Sequence, residues 1–267
     1  IKDSDLSEWR QLIERIRKEK KRVRIGLIVK YIGGQDTYVS VLEAIKSAAY
    51  HSDRHAEIIY IDAEKIENND SESMELLKSV DGIVVPGGFD ERGIEGKVLA
   101  AKWARENNVP YLGLCLGMQV VLIEFARSVA GLEGASSTEF AKDSRYPVIV
   151  PLEDQIDIEE FGGSMRLGAY PCEVMPGTLA HEAYGVDTIK ERHRHRYEFN
   201  NDYRDDLEKQ GIVFSGIFKE KNLVEIVEVK GHPFMLGCQF HPEFLSSPLK
   251  PHPLFKKFID VILEDRD

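Results

Sequence analysis

Along the first half of the chain, short apolar runs alternate with stretches in which apolar residues recur at helical spacing. Trp9, Leu12, Ile13 and Ile16 follow that spacing and predict an amphipathic helix over residues 5–21. It leads into VRIGLIVK (23–30), a continuous apolar run of the kind a parallel strand covered on both faces requires. Gly33, Gly34 and Asp36 break this run, and residues 38–50 return to helical period. AEIIYID (56–62) then reads as a strand, 72–79 as a short helix and GIVVPGG (82–88) as a strand ending in a glycine turn. A helix over 95–107, a strand VPYLGLC (109–115) and a helix over 116–130 complete the series.

This alternation predicts an α/β fold: a mostly parallel central sheet with helices on both faces. Ligands of such sheets bind at the carboxyl ends of the strands, where both the Pro86-Gly87-Gly88 turn and Cys115 fall. From about 131 to 168 the pattern dissolves into loop. Beyond it, ERHRHRYEF, GIVFSGIF, LVEIVEV and PFMLGCQF read as strands, some returning to the sheet and some forming a small antiparallel annex. A helix over about 253–263 closes one domain with an irregular insertion.

Composition changes this picture little. The 267 residues are 42% apolar and 30% charged, with no internal repeat, as in ordinary globular proteins. A net charge of −11 disfavours a nucleic-acid partner, since phosphate affinity rests on clustered Lys and Arg. The basic stretch RIRKEKKRVR (15–24) could be a phosphate patch or nuclear signal, but its interleaved glutamate suits a solvated helix face better. Cys115, Cys172 and Cys238 are too few for a disulfide framework and fit reduced thiols in a cytoplasmic enzyme. No apolar run reaches membrane-spanning length and no secretory leader opens the chain, so no membrane partner is expected. Beginning on Ile1 without a methionine, the chain is expected to be a piece of something longer.

The sharpest chemical feature is Gly113-Leu114-Cys115-Leu116-Gly117, between a buried strand and a helix. That is the setting of a nucleophile elbow, in which a tight turn lifts the side chain above the sheet edge. The helix N-terminus behind the cysteine favours the reactive thiolate. Gln239-Phe240-His241-Pro242-Glu243 supplies a base: in an extended segment His241 and Glu243 share a side, so the carboxylate can orient the imidazole. Acyl transfer also needs oxyanion donors, for which the glycine turn ending in Phe89 and the N–H of Leu116 are placed. Each feature has a plainer reading, as packing cysteine, surface histidine or strand-ending turn. Their meeting at one sheet edge favours the site. His193 and His195 alternate on a strand but lack accompanying metal-ligand spacing, so no metal is expected. Cys172 and Cys238 read as packing thiols, and Asp90 and Glu91 as a solvated loop face rather than acid/base carboxylates.

PGGF, GLCLGMQ and QFHPEF, in this order, resemble the class I (triad) glutamine amidotransferases. GGQDTYVSVLEAI, PGGFDERGIEGK, GASSTEF, MRLGAYPC and ERHRHRYEFN further resemble the C-terminal glutaminase domains of the CTP synthase family, across nearly all of 23–260. The resemblance implies Cys115 as nucleophile, His241 as acid and base, Glu243 as orienting carboxylate, and Gly88 and Leu116 as oxyanion hole. It implies that Gly117, Met118, Gln119, Glu139 and Arg196, with Gly88 and Leu116, bind L-glutamine. Arg92, Gly93 and Glu95 match a lid through which GTP stimulates the family. It further implies a linker helix over 1–22 and a glutaminase domain over 23–267, without a cofactor of its own. A missing N-terminal synthetase domain would use ATP and Mg to aminate UTP to CTP, a ligase step of pyrimidine biosynthesis, in a homo-oligomeric full-length enzyme.

Two other readings fit part of the pattern. Another triad amidotransferase or a γ-glutamyl hydrolase shares GxCxG and a downstream histidine, but not ERHRHRYEFN or GASSTEF. A catalytically idle regulatory domain commonly loses the cysteine or histidine, and here every triad member is present.

Overall fold

The computed structural model describes residues 5–30, 35–88, 91–152 and 165–264; Gly33, Gly34, Phe89 and Asp90 lie outside them, as does the side chain of Asp36. The first half alternates as its apolar pattern requires. Helix α1 (Ser7–Arg17) precedes β1 (Arg22–Val29), α2 (Val39–His51) and β2 (His55–Asp62). Then come α3 (Ala63–Glu67), α4 (Ser71–Lys78), β3 (Gly82–Val85), α5 (Ile94–Glu106), β4 (Tyr111–Leu114) and α6 (Leu116–Ser128). The second half adds β5 (Ser136–Ser137), β6 (Pro147–Pro151), β7 (Arg166–Val174), α7 (Leu179–Tyr184), β8 (Thr188–His195) and β9 (Tyr197–Phe199). Helix α8 (Arg204–Gln210), β10 (Ile212–Phe218), β11 (Leu223–Val229), β12 (Met235–Cys238) and α9 (Pro253–Glu264) follow.

Nine strands form one sheet in the order β2-β1-β3-β4-β12-β11-β10-β7-β8. The five strands from β2 to β12 run parallel, and the remaining pairings are antiparallel. Alternate residues of the parallel strands feed two cores, as period-2 side-chain geometry demands. Val23, Ile25, Leu27 and Val29 of β1, with Leu112 and Leu114 of β4, pack on α2 and α9. Ile83 and Val85 of β3, with Tyr111 of β4, pack on the opposite face with α5 and α6. The apolar residues of α6 are buried all round because the helix is sandwiched. The main sheet covers one side, and a small sheet of order β5-β6-β9 touches the other.

Several elements differ from the pattern reading. Helix α1 ends at Arg17, where Lys18 turns extended at ψ 133°, and of its four apolar positions only Leu12 is buried. Trp9, Ile13 and Ile16 are exposed. Strands β5, β6 and the start of β7 occupy part of the stretch read as loop. Helix α3 was invisible because it is barely one turn long. It is held by its cap: the Asp62 carboxylate accepts from the N–H groups of Glu64 and Lys65.

Helix α6 starts hard against β3. A Cβ on Gly117 would stand 2.2 Å from the Val85 carbonyl oxygen, so only glycine fits. Gly117→Ala is therefore expected to lower stability by roughly 1–3 kcal/mol, the usual cost of overpacking. Urea unfolding checks this, and an unchanged midpoint would contradict the contact.

Candidate active site

Three loops at the carboxyl ends of β3, β4 and β12 converge on Cys115. The register explains why. Strands β4 and β12 run parallel with Leu114 opposite Cys238, so the next residues, Cys115 and Gln239, are neighbours. The Cys115 N–H donates to the Cys238 carbonyl at 2.7 Å, locking the elbow to the adjacent strand. Cys115 itself has φ 51° and ψ −100°, a backbone conformation L-residues rarely adopt, and caps the N-terminus of α6. Held this way, its side chain is 5% exposed at the sheet edge.

His241 follows two residues after Gln239 and is anchored by its own N–H, which donates to the Arg192 carbonyl of β8 at 2.8 Å. Its Nδ1 lies 2.8 Å from Glu243 Oε1, and the ring stacks on Phe244. Glu243 is buried. With Nδ1 spent on the carboxylate, Nε2 is the nitrogen left for Cys115. Burial alone would lower the imidazole pKa; the charge of nearby Cys115 and the bond to Glu243 override it and raise the value to about 10. The site thus favours the imidazolium form of His241.

The glycine turn forms the third wall. A Cβ on Gly87 would come within 2.9 Å of His241 Cε1, so the backbone lies directly against the ring. Gly88 packs beside Leu116: a Cβ there would meet Leu116 Cδ2 at 3.3 Å. Leu116 opens α6, so its N–H has no acceptor within the helix. Pro86, Gly87, Gly88, Cys115, His241 and Glu243 share the wall of a cavity of about 220 Å³ with Thr37, Tyr38 and Arg194, among others.

Gln119, Glu139 and Arg196 lie outside that wall and gather around Tyr197. Gln119 Nε2 donates to the Tyr197 carbonyl at 3.1 Å. The Tyr197 phenol is raised by burial and then by Glu139, with Arg196 opposing. Glu139 is half-buried, its N–H donating to Ser137 Oγ at 3.1 Å. Met118, fully buried, follows Gly117 in the first turn of α6.

Arg92, Gly93 and Glu95 stand apart from the cysteine, bordering a second cavity of about 710 Å³ with Glu64, Arg127 and Phe140. Gly93 has φ 70° and caps α5. Arg92 pairs with Glu64 at 2.7 Å and Glu95 with Arg127 at 2.6 Å. Glu91 lines the same cavity. His193 and His195 face each other, Nδ1 to Nε2, at 3.1 Å. Cys172 and Cys238 are buried, and burial pushes both thiols up, away from the reactive form.

Two residues at the site had no sequence signal of their own. Gln239 sits inside a motif noted for its histidine, yet its Nε2 is 3.5 Å from Cys115 Sγ. Lys97 on α5 is almost fully buried, its Nζ 3.7 Å from where a Gly88 Cβ would stand. Burial, then the charge of Lys30, lowers its pKa to about 7, against the pull of Cys115.

Comparison with known proteins bears on the family and the fold. Residues 35–261 match the family model "Glutamine amidotransferase class-I". The chain is 58% identical over 258 residues to a CTP synthase of Dehalococcoides mccartyi, covering 97% of this chain and 47% of that protein. It is 53% identical over 260 residues to a CTP synthase of Caldanaerobacter subterraneus subsp. tengcongensis, covering 97% and 48%. It thus spans about half the length of the curated relatives it matches. Among solved structures, the glutaminase domain of a Trypanosoma brucei CTPS with bound acivicin superposes with a TM-score of 0.84 at 38% identity, covering 91% of this chain and 94% of that one.

The His241 proton gives a direct test. Because its pKa is raised in the fold, the pair's contribution to stability is complete below the ordinary value of 6.5 and is lost as pH rises through about 10. Cys115→Ala removes one of the two groups that raise it, so the His241 midpoint, read by imidazole NMR, is expected to fall toward the ordinary range. A midpoint unmoved by the substitution would show that Glu243 alone holds the proton.

Proposed function

From the premise that the chain belongs to the class-I glutamine amidotransferases, among the glutaminase domains of CTP synthases, we propose that it hydrolyses L-glutamine through a thioester on Cys115. The observation that carries this is the pairing of a strained cysteine elbow with a buried His241–Glu243 dyad at 2.8 Å.

The Cys115 thiolate attacks the side-chain carboxamide carbon, and the N–H groups of Gly88 and Leu116 receive the developing oxyanion. His241, protonated in the resting site, gives its Nε2 proton to the departing nitrogen, and ammonia leaves. The neutral imidazole then takes a proton from water, whose oxygen attacks the glutamyl thioester. The tetrahedral adduct collapses to glutamate and the thiolate, and the proton stays on His241. Glu243 holds Nδ1–H throughout and fixes the tautomer.

Recognition of glutamine rests on the residues around Tyr197. Glu139 receives the α-ammonium and Arg196 the α-carboxylate. The Gln119 carbonyl oxygen is available to the ammonium, its nitrogen being spent on Tyr197. The backbone of Gly117 and Met118 lines the scissile end.

For the longer protein, the segment up to residue 22, in which the helix covers Ser7–Arg17, acts as a linker from an N-terminal synthetase domain and 23–267 as the glutaminase domain. There the ammonia aminates UTP to CTP with ATP and Mg, in a cytoplasmic homo-oligomer. Arg92, Gly93 and Glu95 form the lid through which GTP acts, which the adjoining cavity of about 710 Å³ supports. The net charge of −11 supports the absence of a nucleic-acid partner, and no helix among the described residues is long and apolar enough to cross a membrane.

Intact mass after incubation with a glutamine-shaped diazoketone tests the first half of this. One adduct on the wild type and none on Cys115→Ala is the expected result. A folded wild type that takes no adduct would refute it and favour an idle regulatory domain. Arg196→Ala is expected to slow this labelling about tenfold to a hundredfold, the weight of a charge-assisted bond. Alkylation by iodoacetamide, which has no amino-acid end, should be spared.

A further inference from the structure

Gln239 lies between residues the mechanism uses, yet has no part in it. Its side chain is wholly buried, in the register position next to Cys115. Nε2 points at Cys115 Sγ from 3.5 Å, and Oε1 accepts from Gln119 Nε2 at 3.1 Å.

The orientation of this amide is dictated by its surroundings. The Tyr197 carbonyl can only accept, so Gln119 must present its nitrogen there. That same nitrogen meets Gln239, which must therefore answer with its oxygen. The Gln239 nitrogen is then the atom left facing the sulfur.

The relay has a rigid footing. The Tyr197 carbonyl also receives His195 Nδ1 at 3.0 Å. His195 Nε2 stands 3.1 Å from His193 Nδ1, which also faces Arg166 Nη1 at 3.4 Å. Burial and then the charge of Arg166 hold both imidazoles neutral, His195 at about 3 and His193 lower still. His193 in turn abuts Glu225, which is clasped by Arg166 at 2.6 Å. The alternating histidines of ERHRHRYEF, which the glutaminase mechanism leaves unused, thus end the chain of contacts that begins at the nucleophile.

We propose that Gln239 belongs to the catalytic machinery: its side-chain amide, locked by Gln119 and the Tyr197 carbonyl, donates to the Cys115 thiolate and holds Sγ in line for attack. The bond is strongest to the anionic sulfur and weakens once the sulfur carries the glutamyl group. It therefore stabilises the free nucleophile and favours its return when the thioester is hydrolysed. The proposal rests on Cys115 being the nucleophile.

Gln239→Met keeps length and volume but removes the donor. Alkylation of Cys115 by iodoacetamide, read at that residue by peptide mass across pH, reports on the thiolate without using the glutamine site. The Met variant is expected to alkylate about tenfold more slowly at pH 7, its pH profile displaced about one unit to the alkaline side and its alkaline plateau kept, as loss of a charge-assisted bond implies. Gln239→Glu, close in shape and without the donor, should move the profile further. A merely structural role would lower the plateau and leave the profile in place. Profiles overlaying the wild type within twofold, in variants shown to be folded, would overturn the proposal. Should Gln239→Met fail to fold, Gln119→Met, which frees the Gln239 amide to turn, must displace the profile in the same direction for the proposal to stand. If the wild type itself takes no diazoketone adduct, it is the glutaminase reading that fails, and the iodoacetamide profiles still decide the role of Gln239.

Discussion

The parallel pairing of β4 with β12 is the constraint on which the site depends. Setting Leu114 opposite Cys238 places the nucleophile on one strand end and Gln239 on the next. The base, two residues further, is then tied across to β8 by its backbone N–H. A slip of one residue would turn every side chain of β12 to the other face and take His241 away from Cys115. The register is held by burial on both faces: Leu112, Leu114, Leu236 and Cys238 lie in one core, while Tyr111 and Met235 lie in the other. The chemistry is therefore a by-product of packing two short strands correctly, 120 residues apart in the chain.

Most of the parallel half of the sheet was legible in the sequence because β1, β3, β4 and β12 are buried on both faces, leaving runs such as RIGLIV with few interruptions. The elbow was legible for the same reason, lying between a buried strand and a buried helix. Strand β8 was legible as part of ERHRHRYEF without help from hydrophobicity: of its alternate buried residues, Ile189, Glu191, His193 and His195, only the first is apolar. Helix α1 misled in the opposite way, since its apolar spacing is regular while three of the four side chains are exposed. Gln239 and Lys97 could not have been found by pattern. Their roles arise from contacts across the sheet, where residue type carries no local signature.

The buried polar groups behind the site form one electrostatic compromise. Arg166, Glu225, His193 and His195 are all nearly inaccessible, and a charge unpaired at such depth costs several kcal/mol. The fold limits the cost by keeping both histidines neutral and setting the Arg166 guanidinium against Glu225 and over the rings of Tyr170 and Phe218. Burial raises Glu225 to about 7, against the pull of Arg166. At His241 the balance is reversed: there the protein spends its negative groups on stabilising an imidazolium. Two clusters of similar residues, one strand apart, thus hold opposite proton occupancies.

Close packing around Gly87 and Gly117 also limits what selection can do with this site. A side chain at Gly87 would strike His241, and one at Gly117 the Val85 carbonyl, so the pocket cannot be reshaped through either glycine. The exposed residues Thr37, Ser40 and Arg194 line the same cavity without such a backbone limit. A library meant to alter which amide is accepted should therefore include such exposed lining positions and leave Gly87 and Gly117 invariant.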